Sequence, residues 1–329
     1  MKLKWKLGIM VLMLCMLGLI SCAHREFVQE LPDKDGFVGK VEMEAVIIED
    51  EAVALVQSPI ALPDILEPSA TGVKVKRSGK AVVDYSNTDD GYVMVQYTAN
   101  TANRLKVQVK GPATTYTYDL VPGPWATFPL SDGSGNYQVA VYENVTDNKY
   151  AVVLMEAMIV TLKDEFAPFL RPNQYVNYTA DSAVVAKARE LTEKLTHPLE
   201  KVEAVYNFAV KEIVYDREKA ATVKSGYLPV LDTVLTEKKG ICFDYAALMT
   251  AMLRSQGVPC KLVVGYAGTA YHAWISVWTE ESGWVDGAIF FDGAVWKRMD
   301  PTFASSGAGS AAIMQYIGDG TNYTQKYLY

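Results

Sequence analysis

Residues 72–162 alternate apolar with polar side chains, and a repeat of two residues can bury one face only as β-strand. Runs at 81–85, 92–97, 105–109, 116–118, 137–142 and 150–160 are rich in valine and tyrosine, which fit a pleated, half-buried surface. Turn formers separate them: Asp89-Asp90-Gly91, Gly111-Pro112, Pro122-Gly123-Pro124 and Asp132-Gly133-Ser134-Gly135. The pattern predicts about seven short antiparallel strands, in a β domain at 72–165.

Strands of that number and spacing predict an immunoglobulin-like or fibronectin-like sandwich. Its tyrosines have two possible uses, a carbohydrate-stacking face or cross-strand pairing, and the alternation favours pairing. The acidic turns lack the twelve-residue ligand spacing of a calcium loop and read as turns alone.

Beyond a joint at 162–178, marked by Pro168 and Pro172, the period lengthens. Residues 183–195 follow Asp181-Ser182, residues 199–213 follow Pro198, and a short helix at 230–237 leads to Gly240. A further apolar helix runs from Cys242 to Leu253 and is closed by Gly257 and Pro259. Strands are then predicted at 262–266, 271–279, 283–291 and 295–299. Helices followed by an antiparallel sheet make residues 175–329 an α+β domain.

The helix at Cys242 carries the strongest chemical signal. A thiol in a first helical turn meets unpaired N–H groups and the positive end of the helix dipole, both of which favour the nucleophilic thiolate. Gly240 allows a tight turn in front of it. His272 offers a base and Asp300 an orienting carboxylate, with Asp286 on the neighbouring strand as the alternative acid. Taken singly, a helical cysteine is core filling, a strand histidine is a satisfied polar group, and Asp300 before Pro301 is a turn residue. Trp274, Trp278 and Trp284 alternate with polar residues and read as packing rather than as a groove.

The chain start is set apart. Lys2, Lys4 and Lys6 precede an apolar run at 7–20, too short to span a bilayer comfortably, so residues 1–21 read as a signal peptide. Three lysines would leave with it, taking the net charge from −7 to −10. That balance, without a lysine or arginine cluster, argues against a nucleic-acid partner. Leu19-Ile20-Ser21-Cys22 resembles the lipobox of bacterial lipoproteins, and the resemblance makes Cys22 the lipidated N-terminus and residues 22–71 a tether. Of the other cysteines, Cys15 lies in the signal and Cys260 opens an apolar strand as a core residue. A disulfide between Cys242 and Cys260 is not expected across a helix about 20 Å long. Three histidines without ligand spacing and no C-x-x-C pair imply neither metal nor cofactor. Gly307-Ala308-Gly309-Ser310 lacks the lysine of a phosphate loop and reads as a flexible turn.

Three blocks, Gly240-Ile241-Cys242-Phe243-Asp244-Tyr245-Ala246, His272-Ala273-Trp274 and Asp300-Pro301-Thr302, resemble the signatures of the bacterial transglutaminase-like domain, a papain-related superfamily. The resemblance covers roughly residues 181–303 and departs from the animal enzymes at Phe243, where they carry tryptophan. It implies a papain-like transglutaminase core with Cys242 as nucleophile, His272 as base and Asp300 as orienting acid. The expected protein is a membrane-tethered, extracytoplasmic cysteine enzyme that hydrolyses amide bonds of protein or peptide, or transfers the acyl group to an amine. A non-catalytic scaffold of the cell envelope and a hydrolase of peptidoglycan cross-links, acting on cell-wall peptide, are the alternatives.

Overall fold

The computed structural model describes residues 63–280, 283–286, 289–291, 296–298 and 322–329. The residues read from sequence as a signal (1–21), Cys22, those of the expected tether up to 62, Asp300 and residues 307–310 lie outside the described residues.

Alternation does what it predicts in the first half. Strands β1 (Val75–Arg77), β2 (Ala81–Asp84), β3 (Tyr92–Tyr97), β4 (Leu105–Lys110), β5 (Thr115–Leu120), β6 (Ala126–Pro129), β7 (Gly135–Thr146) and β8 (Lys149–Val160) form two four-stranded antiparallel sheets. Their orders are β1-β2-β3-β6 and β5-β4-β7-β8. Leu105, Val107 and Val109 of β4 face Leu120, Tyr118 and Tyr116 of β5, so every second residue is buried. β1 and β6 are additional to the runs read from sequence. β6 hides between Pro124 and Pro129, and Pro129 is tolerated because β6 closes one edge of its sheet.

Glu143 of β7 ties the sheets together. Its carboxylate accepts hydrogen bonds from Lys80 Nζ at 2.7 Å, Tyr97 OH at 2.9 Å, Thr101 Oγ1 at 2.8 Å and Asn103 Nδ2 at 3.1 Å. The Lys80 bond, then those from Thr101, Tyr97 and Asn103, hold its carboxyl down at about 2, against an ordinary 4.5. A carboxyl depressed on folding stabilises the fold above its unfolded pKa, and that contribution is lost as pH falls through the folded value. Acid unfolding of the wild type should therefore steepen between those two values. Glu143→Gln should flatten that part of the stability–pH curve, measured by denaturant melts at stepped pH.

In the second half, helices α1 (Ala183–Thr192), α2 (Pro198–Glu212), α3 (Arg217–Thr222) and α4 (Leu231–Glu237) precede α5 (Cys242–Ser255). Caps set their starts. Pro198 occupies the first turn of α2, Asp216 Oδ1 accepts the Lys219 N–H at 2.9 Å, and Asp232 accepts the N–H groups of Ala183 and Val184 from a distance in sequence. Every residue of α5 from Asp244 to Ser255 is buried, with α1, α2 and α4 on one side and the following sheet on the other. α3 was not expected from sequence. It is one short turn of helix with no buried residue, so it has no apolar stripe to betray it.

Two-residue strands β9 (Val214–Tyr215) and β10 (Lys239–Gly240) pair in parallel just ahead of α5. After it come β11 (Cys260–Ala267), β12 (Ala270–Thr279), β13 (Gly283–Asp286), β14 (Ile289–Phe291), β15 (Trp296–Arg298) and β16 (Tyr323–Leu328). The main sheet runs β13-β12-β11-β16, giving the helix-plus-antiparallel-sheet class. The strand expected at 283–291 is divided: β13 stays with β12, while β14 pairs with β15.

One core joins the halves. Tyr116 and Tyr118 of β5 are fully buried, and their rings meet Phe128 as well as Tyr175, Tyr327 and Tyr329, with Tyr118 and Tyr329 centroids 5.7 Å apart. The tyrosines are thus packed, with partners outside their own sheet as well as within it. Buried Arg254 pins three segments, donating to the carbonyls of Cys260, Arg171 and Tyr329 at 2.6–2.8 Å.

Candidate active site

Gly240 must be glycine because a Cβ there would stand 2.7 Å from Asp244 Cβ. The close approach lets Asp244, third residue of α5, fold back so that its Oδ2 accepts the Ile241 N–H at 2.9 Å. Cys242 is then the first residue of α5 and half-buried. The N–H groups of this first turn have no acceptor within the helix by its geometry.

Asp244 is fully buried and held from three sides. Besides the Ile241 N–H, Oδ2 takes Lys219 Nζ at 2.7 Å and Oδ1 takes the Tyr227 hydroxyl at 2.6 Å. Lys219 also lies over the Tyr227 ring, 4.3 Å from its centroid. Burial, with the hydrogen bond to Asp244, pushes the Tyr227 phenol up to about 12. Burial alone would lower Lys219, but its bonds to Asp244 and Tyr227 outweigh that and carry it above the ordinary lysine value. This clamp fastens the α3 segment to the start of the cysteine helix.

A cavity of about 550 Å³ opens beside Cys242. Cys242 and Phe243 line it from α5, and Tyr271, His272 and Ala273 line it from β12. Tyr327 and Tyr329 border it from the β16 end, Lys224 to Tyr227 from the segment after α3, and Lys106, Thr117 and Asp119 from the β half. Asp119 pairs with Lys106 at 2.5 Å. A Cβ on Gly226, at φ +87°, would meet Asp119 Oδ2 at 2.6 Å, so the 224–227 segment closes tightly on β5. Tyr271 is 60% exposed, but partial desolvation at the cavity, with Tyr327, Tyr266 and Cys242 nearby, pushes its phenol up.

His272 is buried at the cavity and stacks on Trp274, with centroids 6.2 Å apart and planes at 25°. Alternation along β12 sends Ala273, Ile275 and Val277 into the core shared with α5, and leaves His272 and Trp274 on the other face. Cys242 and His272, 30 residues apart in sequence, both line this cavity. Asp300 lies outside the described residues. Asp286 pairs with Ser276, which puts its backbone about 13 Å along the strand from His272 at 3.3 Å per residue, too far for direct orientation of the ring.

Other residues singled out from sequence have structural places. Cys260 is fully buried beside Thr250, and burial pushes its thiol up to about 11; both described cysteines are free. Trp278 packs on Phe166 at 4.5 Å, and Trp284 lies between Phe169 and Lys261, whose Nζ is 3.6 Å from the indole centroid. Among the described residues no group of three His, Cys, Asp or Glu side chains is placed to hold a metal ion. The clamp was missed. Asp244 carried a signal, an acidic residue at the third position of a helix, whereas Lys219 and Tyr227 have none that links them to it.

Residues 185–287 match the model of the Transglutaminase-like superfamily. The chain is 24% identical over 178 residues to the uncharacterized protein YebA of Bacillus subtilis, covering 48% of this chain and 24% of that protein. It is 30% identical over 115 residues to a protein-glutamine gamma-glutamyltransferase of Pseudomonas aeruginosa, covering 30% of this chain and 17% of that one. The chain therefore spans a quarter or less of these curated relatives. Among solved structures, the periplasmic domain of TgpA from Pseudomonas aeruginosa aligns over 70% of this chain and 95% of its own, at 16% identity and a TM-score of 0.31.

Proposed function

We propose that this chain, whose residues 185–287 carry a transglutaminase-like core, is a cysteine acyl-transfer enzyme acting on amide bonds of protein or peptide. The observation that carries the reading is that a cysteine at the first turn of a buried helix and a histidine distant in sequence line one cavity. In the proposed mechanism the Cys242 thiolate attacks the amide carbon, and the tetrahedral oxyanion is met by N–H groups of the first turn of α5. As the C–N bond breaks, protonated His272 gives its proton to the departing amine, leaving a thioester on Cys242. Water or a second amine then attacks the thioester, losing its proton to His272. Asp300 is assigned the second ring nitrogen, where it fixes the tautomer and supports the imidazolium. The name of the Pseudomonas aeruginosa relative favours transfer from a glutamine side chain to an amine.

The same reading sets the enzyme outside the cytoplasm, tethered through a lipid on Cys22. The strand order β2-β3-β6 over β5-β4-β7-β8 supports reading the first half as a fibronectin-like sandwich with β1 added at one edge. The deciding experiment incubates the protein with a glutamine-bearing protein and a labelled primary amine and follows masses. A gain of the amine less ammonia is expected for transfer, and cleaved or deamidated product for hydrolysis. Formation of neither product would overturn the enzymatic reading. In a parallel assay iodoacetamide should label Cys242 in the native protein near neutral pH, while Cys260 reacts only after unfolding, as its raised thiol requires. Equal labelling of the two would contradict this.

A further inference from the structure

Resting on the amide-transfer reading, we propose that the Tyr271 hydroxyl is a second oxyanion donor, a catalytic group that hydrogen-bonds the substrate carbonyl oxygen as Cys242 attacks. The N–H groups at the start of α5 supply one side of such a site, and this side chain of β12 supplies the other.

Topology brings Tyr271 level with the sulfur. α5 packs on β11 and β12, and the chain turns back from the end of α5 into β11, where Cys260 pairs with Val277 of β12. From that end the helix returns to Cys242 over about 20 Å at 1.5 Å per residue. β12 returns from Val277 to Tyr271 over about 20 Å at 3.3 Å per residue. Tyr271 shares strand parity with Ala273, Ile275 and Val277, which face the core that α5 fills. Cys242 and Tyr271 accordingly line the same cavity.

The hydroxyl is uncommitted. Among the described residues it makes no hydrogen bond, and its ring meets Tyr266 edge-on with centroids 5.5 Å apart. Other phenols of the cavity are engaged: Tyr227 donates to Asp244, while Tyr175 and Tyr329 interlock with each other and with Tyr118. The surroundings that raise the Tyr271 phenol, Cys242 among them, keep its proton on oxygen, so at neutral pH it donates rather than ionises. Parity also sets the directions of approach. In the tetrahedral intermediate the oxyanion and the departing nitrogen are different substituents of the attacked carbon. Consecutive strand residues point to opposite faces, so Tyr271 and His272 reach the cavity from two directions, one for the oxygen and the other for the nitrogen. The hydroxyl keeps its proton throughout; charge builds on the carbonyl oxygen as the S–C bond forms and leaves it when the C–N bond breaks.

The test works whatever the natural substrate. Butanal adds reversibly to a thiol: the S–C bond forms, the carbonyl π pair moves to oxygen, and the proton of the thiol passes to that oxygen. The hemithioacetal thus places an oxygen where the oxyanion would lie. Iodoacetamide instead loses iodide from a saturated carbon and reports the thiolate alone. In the full chain, Tyr271→Phe should need about tenfold more butanal than wild type to protect Cys242 from iodoacetamide, while alkylation without aldehyde stays within about twofold. Tyr266→Phe should match wild type in both. In amine incorporation, Tyr271→Phe should lose about 10²-fold in kcat with KM little changed. Equal protection of wild type and Tyr271→Phe, protection of neither, an unchanged kcat, an equal loss in Tyr266→Phe, or alkylation that slows as much as aldehyde binding weakens would overturn the donor. Protection that depends on Tyr271 in a protein forming neither transfer nor hydrolysis product would support the donor and sink only the amide-transfer reading.

Discussion

Cys242→Ala is expected to lower amine incorporation or peptide cleavage by about 10⁴-fold or more, because without the sulfur no acyl-enzyme can form. The fold should survive. Cys242 is half-buried at the start of α5, and shortening it by one sulfur atom should cost about 1 kcal/mol or less, visible as an unchanged melting curve. His272→Ala should give a loss of similar size, and the double variant should be little worse than either alone, since the two act as a unit. Asp300→Asn should fall by about 10⁴-fold if it fixes the imidazole tautomer, whereas Asp286→Asn should retain most activity, given its place opposite Ser276. Rates are read as product mass per folded molecule. Activity above about one per cent in Cys242→Ala would assign the chemistry to another group.

The parts of this architecture legible in the sequence are those in which one residue's environment is set by its near neighbours. Leu105, Val107 and Val109 advertise β4 because each second side chain meets the same buried face, and the apolar run from Tyr245 to Leu253 advertises a helix buried all round. β6 was concealed because it follows the turn Pro122-Gly123-Pro124 closely and itself ends in a proline, Pro129, and only the pairing with β3 reveals it as a strand. β16 has the opposite difficulty: Thr324, Gln325 and Lys326 are exposed and carry no alternation, yet pairing with β11 brings Tyr327 and Tyr329 to the cavity. The same division runs through the site. Cys242 and His272 stand in local blocks that announce them. The wall contributed by Lys106 and Asp119, and the partners of Asp244, come from segments whose meeting is decided by the tertiary fold.

Lys219→Met should destabilise the protein by about 3–5 kcal/mol, because it leaves the fully buried Asp244 carboxylate without a counter-charge. Tyr227→Phe removes a neutral donor and should cost less, about 1–3 kcal/mol. Both are read from denaturant midpoints. If Lys219 and Asp244 act as a pair, Lys219→Met combined with Asp244→Leu should be less destabilised than the sum of the singles, since the second change removes the stranded charge; strict additivity would deny the coupling. Alkaline behaviour gives an independent check on the sign. Lys219 and Tyr227 are both raised on folding, so their contribution is intact below their unfolded pKa values, 10.5 and 10.0, and is lost as pH rises through the folded ones, about 12 for Tyr227. Other buried tyrosines add to that decline, so the informative quantity is the difference between curves. Tyr227→Phe, which has no phenol to ionise, should lose less stability than wild type between about pH 10 and 12 even though it starts lower. Because the clamp joins the α3 segment to the first turn of α5, its failure would loosen the 224–227 wall and the cysteine together, and activity in Lys219→Met should fall even at temperatures where the protein remains folded.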